Sequence, residues 1–150
     1  MSPGVGWWYL KLGRARRTIR EITHRRPHEN RNRRMPAGWV ATAAASGAEL
    51  LVFPEYGAME LATLAGLDVA GNLEASLFAV SDRLADADAA HQKLAAEYGV
   101  HIVAASGPAV TPAAARPVNR ARLITPSGQV GVQDKQIMTR FEREVWGVVG

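Results

Sequence analysis

The sequence predicts an α/β fold in which helices pack against a sheet. Two strand-like runs, at Leu50–Phe53 and Val100–Ala104, are separated by a segment with helical periodicity. An alanine-rich helical segment precedes the first run, and a strand–turn–strand pattern follows the second. This order of helix, strand, helices, strand and hairpin is typical of an α/β layer architecture.

Capping residues mark the predicted helices. Proline suits a first helical turn, so we expect a helix that begins near Pro36 and ends before Gly47, which suits a left-handed position. Asn72 is expected to cap a second helix. A third helix, or a continuation of the second, runs from about residue 88 to the residue before Gly99. The apolar residues that recur at helical spacing in the second helix are Leu73, Leu77, Val80 and Leu84.

The strand boundaries follow from proline and glycine. Pro54 lacks a backbone donor and therefore ends the first strand. The Pro- and Ala-rich stretch Gly107–Pro117 is predicted to be a loop. The strands Asn119–Ile124 and Val130–Gln133 flank the turn signature at Thr125–Gly128, so we expect them to form a hairpin.

Charge divides the chain into a basic arm, residues 1–35, and a globular part, residues 36–150. Residues 1–34 carry ten Lys and Arg against Glu21 and Glu29, whereas the whole chain has a net charge of only +4. The globular part is therefore acidic, and the high pI is a property of the arm. The arm has no sustained period apart from a brief basic helix expected at Ala15–Ile22, so we predict that it is poorly ordered.

The composition is that of a globular domain: 47% of the residues are hydrophobic and 21% are charged. There is no apolar run of the roughly eighteen residues that a membrane helix needs, and no secretion signal. We therefore expect a cytoplasmic protein that does not contact a membrane. The chain has no cysteine, which excludes disulfides and thiolate metal sites within it.

Two charged residues stand where predicted strands end. Glu55 follows a buried strand and a proline, so its carboxylate is held on a rigid support and is a candidate general base. Lys135 follows the second hairpin strand, where a fixed ammonium can stabilise an oxyanion. The alternatives are a solvated carboxylate that caps a turn and an exposed lysine at the end of a hairpin.

Two further carboxylates follow in a charged, aromatic segment. Glu142 or Glu144 is placed to hydrogen-bond to Lys135 or to orient a substrate, with Phe141 and Trp146 as anchors. A solvated charged loop is the alternative, and the local spacing does not choose between them.

Residues 36–150 contain three segments that together resemble the nitrilase, or carbon-nitrogen hydrolase, superfamily. AGWVATAAASGAELLVFPEY resembles the first helix and second strand, which end in the family's catalytic Glu, here Glu55. EYGVHIVAAS resembles the next helix end and strand. VNRARLITPSGQVGVQDKQIMTRFERE resembles the hairpin that carries Asn119 and the catalytic Lys, here Lys135, followed by an acidic residue best matched by Glu142. The resemblance implies a partial αββα sandwich.

The resemblance also implies a reaction on non-peptide C–N bonds of an amide or nitrile. A Cys thiolate attacks the carbon, Glu55 acts as general base, and Lys135 stabilises the tetrahedral intermediate. Glu142 positions these groups. The implied substrate is a small amide or nitrile, and no cofactor is expected.

The sequence departs from the family in two places. The family's nucleophilic Cys lies past the Lys, and this chain ends at Gly150 without a cysteine. The family also begins with a short apolar strand that residues 1–34 do not resemble. We therefore expect a truncated piece of a hydrolase that is inactive alone.

Two other functions stay open at this point. The chain could be a non-catalytic pseudoenzyme that forms a homodimer or associates with an intact homologue. Alternatively, the basic arm with Trp7, Trp8 and Tyr9 could bind nucleic acid, although the acidic body gives that function no supporting surface. His24 and His28 lack a third ligand, so no metal site is expected.

Overall fold

The computed structural model describes residues 7–11, 18–22 and 35–150, and its centre is a six-stranded sheet in the order β2-β1-β3-β4-β5-β6. The continuous chain from residue 35 supplies the last four strands of that order and all the helices. The strands are β1 Trp7–Lys11, β2 Thr18–Ile22, β3 Leu50–Val52, β4 His101–Ala109, β5 Val118–Ile124 and β6 Val130–Asp134. The helices are α1 Met35–Ala45, a 3-10 helix Gly57–Ala65, α2 Leu67–Ala70, α3 Leu73–Ser81, α4 Leu84–Tyr98 and a π-helical turn Glu142–Trp146.

The pairing of the strands confirms the predicted α/β fold. β3 and β4 are parallel, and the 3-10 helix and α2–α4 connect them. β4, β5 and β6 are antiparallel, so the predicted hairpin of β5 and β6 adds to the same sheet. Parallel strands end at the same edge of a sheet, which places the residues after β3 next to the second half of β4.

One face of the sheet is covered by helices α1 and α4. Val40 and Ala43 of α1 and Ala95 of α4 pack against Ile102 and Ile124, and all five residues are buried. The buried apolar area is the main source of stability in a chain without disulfides. This layer fixes where the carboxyl end of β3 emerges.

A second core lies under the 3-10 helix and α3. Ala58 and Ala62 of the 3-10 helix pack with Val80 of α3 and with Ala109 of β4. Gly107 of β4 lies so close to this layer that a Cβ atom there would stand 2.7 Å from the Cβ of Ala58. The close contact holds the start of the 3-10 helix, two residues after Glu55, onto the sheet.

The other face of the sheet is open and apolar. The register pairs Val52 with Val103 and Val103 with Leu123, so these three side chains share that face. Val52 is 36% exposed and Leu123 is 43% exposed. The family resemblance implies two sheets, whereas the described residues form one.

The structure differs from the sequence prediction in the basic arm. A brief helix was expected at 15–22, whereas residues 18–22 form strand β2, which pairs with β1. β1 in turn pairs antiparallel with β3. Without β1, the edge of β3 would leave a row of unpaired backbone groups, which a strand can satisfy. The rest of the arm, with His24 and His28, lies outside the described residues.

Two boundaries also differ from the prediction. β4 continues to Ala109, into the predicted loop, because pairing with β5 resumes at Gly107 after an irregularity that follows Ala104. The helix α3 ends at Ser81 and α4 begins at Leu84. The sequence predicted either one continuous helix or a third helix that begins only at about residue 88. No helix within the described ranges has the length and hydropathy to cross a membrane.

Candidate active site

Glu55 lies three residues beyond the end of β3, at the edge of an open cavity. The N–H of Phe53 still donates to the carbonyl of Val103, so β3 is anchored to β4 up to the residue before Pro54. The side-chain Nδ2 of Asn119 then donates a 3.1 Å hydrogen bond to Glu55 Oε1. Glu55 is thus oriented by the neighbouring strands while its side chain stays 57% exposed.

Lys135 reaches the same place from β6. Its backbone N–H donates to the carbonyl of Asn119, which continues the β5–β6 ladder by one residue. Its ammonium Nζ lies 2.8 Å from Glu55 Oε1, although the two residues are 80 positions apart. The two candidates taken from strand ends therefore form an ion pair.

Glu142 is buried beneath Lys135 and is only 4% exposed. Lys135 Nζ donates to both of its carboxylate oxygens, at 2.9 and 3.0 Å. The hydroxyl of Tyr56 donates to Oε1 at 2.7 Å, and the N–H of Thr139 donates to Oε2 at 2.7 Å. Burial alone would raise the pKa of the Glu142 carboxyl, but these hydrogen bonds outweigh it and lower the pKa to about 2.

Tyr56 links the two carboxylates of the site. It has a left-handed backbone with φ of 56°, which turns the chain sharply after Glu55, and its N–H donates to Ser106 Oγ at 3.0 Å. Its ring meets the Trp146 ring edge-on, with centroids 4.6 Å apart. Burial, followed by the hydrogen bond to Glu142, raises the pKa of the Tyr56 phenol, so it stays protonated and able to donate.

The two carboxylates differ in how much of their hydrogen-bonding capacity is used. Glu142 is buried and its oxygens accept from Lys135, Tyr56 and Thr139. Glu55 is more exposed, and the hydrogen bonds from Lys135 and Asn119 both go to its Oε1. The carboxylates of Glu55 and Glu142, in that order of effect, raise the pKa of Lys135 and keep it an ammonium. The site therefore contains a fixed anion, Glu142, a fixed cation, Lys135, and an accessible carboxylate, Glu55.

The accessible carboxylate borders a cavity of about 370 Å³ on the open side of the sheet. Its lining combines an apolar floor with the polar groups of the site, which is the composition of small-molecule sites. The residues around it are Phe53, Glu55, Val103, Ala104, Ser106, Asn119, Ala121, Gln133 and Lys135.

The structure brings together Glu55, Lys135 and Glu142, the three candidates that the sequence singled out. Glu144 does not join them: it pairs with Arg140 on the surface, at 2.8 Å. Their catalytic roles remain predictions. Among the described residues, no three His, Asp or Glu side chains are arranged to hold a metal ion.

Sequence reasoning did not find Tyr56 or Ser106. Tyr56 follows Glu55 directly, but its partner Glu142 is 86 residues away, and no local pattern predicts that hydrogen bond. Ser106 was hidden because the second half of β4 was expected to be irregular. The left-handed backbone of Tyr56, next to a candidate base, is the kind of strained turn that motivates a functional hypothesis, and no local sequence pattern predicts it.

Comparison with known proteins bears on the fold. No protein-family model matches the sequence, and no curated protein matches it. Among solved structures, the chain is similar to a carbon-nitrogen hydrolase from Helicobacter pylori G27, with a TM-score of 0.57 and 17% sequence identity. The similarity covers 76% of this chain and 37% of that chain, so this chain spans little more than a third of that hydrolase. At this level of identity the fold alone is shared: the chain has a fold similar to that of a carbon-nitrogen hydrolase.

Proposed function

We propose that Glu55, Lys135 and Glu142 are the acid–base and oxyanion-binding part of a carbon-nitrogen hydrolase site. It would act on non-peptide C–N bonds of a small amide or nitrile. The observation that carries the proposal is the position of Lys135 Nζ, 2.8 Å from Glu55 and 2.9 Å from Glu142, beside an open cavity. The fold shared with a carbon-nitrogen hydrolase supports it.

Glu55 is the proposed general base. It faces the cavity, and the hydrogen bonds that it accepts from described residues go to its Oε1. Glu142 is buried and its low pKa keeps it ionised, so it cannot exchange protons near neutral pH. In the first step Glu55 takes the proton of an attacking thiol as sulfur bonds to the substrate carbon. For an amide, the same proton then goes to the departing amine, and Glu55 next deprotonates the water that releases the acyl group.

Lys135 is the proposed oxyanion stabiliser. While Glu55 is a carboxylate it engages the ammonium of Lys135. When Glu55 accepts the proton of the thiol it becomes neutral and binds Lys135 more weakly, which releases an N–H at the moment when negative charge develops on the substrate oxygen or nitrogen. Glu142 stays ionised and holds the ammonium in place through this exchange.

The nucleophile has to come from outside these 150 residues, because they contain no cysteine. Glu55 and Lys135 alone provide a base and a cation but no atom that can carry the acyl group. We therefore propose that the chain alone does not turn over amides or nitriles.

A second candidate function is non-catalytic association with a cysteine-containing homologue. The open apolar sheet face favours it, since Val52, Val103 and Leu123 are left partly exposed beside the cavity. In this function the chain binds the homologue and does not itself catalyse a reaction. Co-purification with such a homologue would support it, and a chain that stays monomeric in the presence of the homologue would count against it.

The experiment that tests the catalytic proposal is ammonia release from a panel of amides, nitriles and carbamoyl amino acids. The chain is assayed alone and after co-expression with the cysteine-bearing remainder of a carbon-nitrogen hydrolase. We expect turnover only in the co-expressed pair, with a loss of at least about 100-fold when Glu55→Gln or Lys135→Met is introduced. The matched control is Glu144→Gln, which removes an exposed carboxylate of the same segment.

A further inference from the structure

We propose that Arg116 is a positioning residue for this site: it clamps the turn at Trp146 and Gly147, and so holds Tyr56 on Glu142. The proposal rests on the proposed function only in giving Glu142 a role. The chain of contacts that it describes, from α3 to the buried carboxylate of Glu142, exists whether or not the site is catalytic.

Arg116 makes contacts on both sides of its guanidinium. Toward α3, Nη1 and Nη2 donate to the two carboxylate oxygens of Glu74, at 2.6 and 2.8 Å. Toward the end of the chain, Nε donates to the carbonyl of Gly147 at 3.0 Å and Nη2 to that of Trp146 at 3.2 Å. The group also lies over the ring of Phe78, 5.8 Å from its centroid. A planar fork with several fixed donors suits this role because each added contact restricts its orientation.

The turn that Arg116 clamps is shaped to receive it. Gly147 has a φ of +61°, and a Cβ atom there would stand 3.0 Å from Nη2 and 3.1 Å from Nε of Arg116. The glycine therefore allows both the left-handed turn and the close approach of the guanidinium. On the far side of the turn, buried Val148 packs with Leu77 and Met138.

From this turn the contacts lead directly into the site. Trp146, whose carbonyl Arg116 holds, packs its ring edge-on against Tyr56. Tyr56 in turn donates its 2.7 Å hydrogen bond to Glu142. The N–H of Val148 donates to the carbonyl of Glu142, so the same turn also fixes the backbone of the π-helical segment. If the clamp is removed, the backbone at Trp146 and Gly147 loses two hydrogen bonds that fix it. The Trp146 ring keeps its contacts with Phe141 and with the buried Leu77 cluster, but its position against Tyr56 is less restricted.

The neighbouring ion pair of Arg140 and Glu144 lacks this connection. It joins two residues of one segment at i and i+4, and Arg140 is 82% exposed. Such a pair contributes little to the geometry around it. Arg140 is therefore a matched control for Arg116.

The test is the titration of the Glu142 carboxyl, followed by carbon-13 NMR in the full chain. Wild type, Arg116→Ala, Arg116→Lys and Arg140→Ala are compared, and each thermal unfolding midpoint is measured. We expect both Arg116 variants to raise the pKa of the Glu142 carboxyl, because Lys keeps the charge but cannot make the forked contacts. Arg140→Ala is expected to leave it unchanged.

Two results would overturn the proposal. If Arg116→Lys titrates like wild type while Arg116→Ala does not, charge alone explains the effect. If both variants titrate like wild type but unfold at lower temperature, Arg116 is merely structural. Should Arg116→Ala not fold, Arg116→Lys carries the test alone, and a Glu142 carboxyl that titrates there as in wild type counts against the clamp. Ammonia release by the co-expressed pair tests the proposed function separately.

Discussion

The phenol of Tyr56 donates a 2.7 Å hydrogen bond to the buried carboxylate of Glu142, 86 residues further along the chain. The residue before Tyr56 is the candidate base, and Glu142 holds the ammonium of Lys135. A single turn after β3 therefore positions Glu55 directly and Lys135 indirectly. The ion pair of Glu55 and Lys135 therefore depends on Tyr56 and Glu142 for its position.

Replacing Tyr56 with Phe should destabilise the protein. The ring and its contact with Trp146 are retained, while Glu142 loses one charge-assisted hydrogen bond. We expect a loss of about 1.5–3 kcal/mol in the free energy of unfolding, measured by urea denaturation. An unfolding free energy equal to that of wild type would mean that the hydrogen bond makes no net contribution.

Acid should destabilise the protein through Glu142. The pKa of this carboxyl is about 2 in the folded chain against 4.5 for the unperturbed group, so the unfolded chain binds more protons as the pH falls. The stability that Glu142 contributes is complete above pH 4.5 and is lost as the pH falls toward 2.

Unfolding free energies measured across that range check the prediction. Glu142→Gln should be less stable than wild type at neutral pH, and its stability should depend less on acid. Glu144→Gln, which removes an exposed carboxylate, should keep the wild-type dependence. Parallel acid curves for wild type and Glu142→Gln would contradict the assignment.

The contact between β4 and the 3-10 helix gives a steric prediction. Gly107→Ala places a methyl group 2.7 Å from the Cβ of Ala58, so it should cost about 1–3 kcal/mol of stability. Gly38→Ala is the matched control, because nothing lies within 4 Å of the added atom in α1, and it should stabilise by up to about 1 kcal/mol. Thermal unfolding of the two variants distinguishes them, and the same shift in both would refute the close packing.

The open sheet face gives a prediction about association. The double substitution Val52→Thr and Leu123→Thr removes apolar surface from two positions that share this face. Sedimentation velocity at increasing concentration should show less self-association than in wild type. Val145→Thr, which changes an exposed residue of the π-helical turn and not of a strand, should leave association unchanged. If the double variant associates as strongly as wild type, another surface is responsible.

The sequence predicted what is local to a segment. Pro54 marks the end of β3, Gly99 ends α4 in a left-handed conformation, and Asn72 caps α3 by accepting from Ala75. These signals predicted the layered sheet and the strand-end positions of Glu55 and Lys135. Each depends on a few neighbouring residues.

What the sequence could not predict depends on contacts between distant segments. The strand β1 exists where β3 offers an edge, and β4 extends to Ala109 because β5 lies beside it. The partners of Tyr56 and Arg116 are likewise far away in the chain. Local propensity carries no information on such pairs, so the local spacing could not distinguish Glu142 from a solvated loop residue, and only the family resemblance favoured it.

Ammonia release is the most direct test of the proposal that Glu55 and Lys135 act as the base and the oxyanion stabiliser of a hydrolase site whose sulfur lies outside these residues. We expect no release from amides or nitriles by the chain alone. We also expect measurable release when a cysteine-bearing remainder is co-expressed, lowered at least about 100-fold by Glu55→Gln and by Lys135→Met but not by Glu144→Gln. Release by the chain alone, or release by the pair that survives Glu55→Gln, would contradict it.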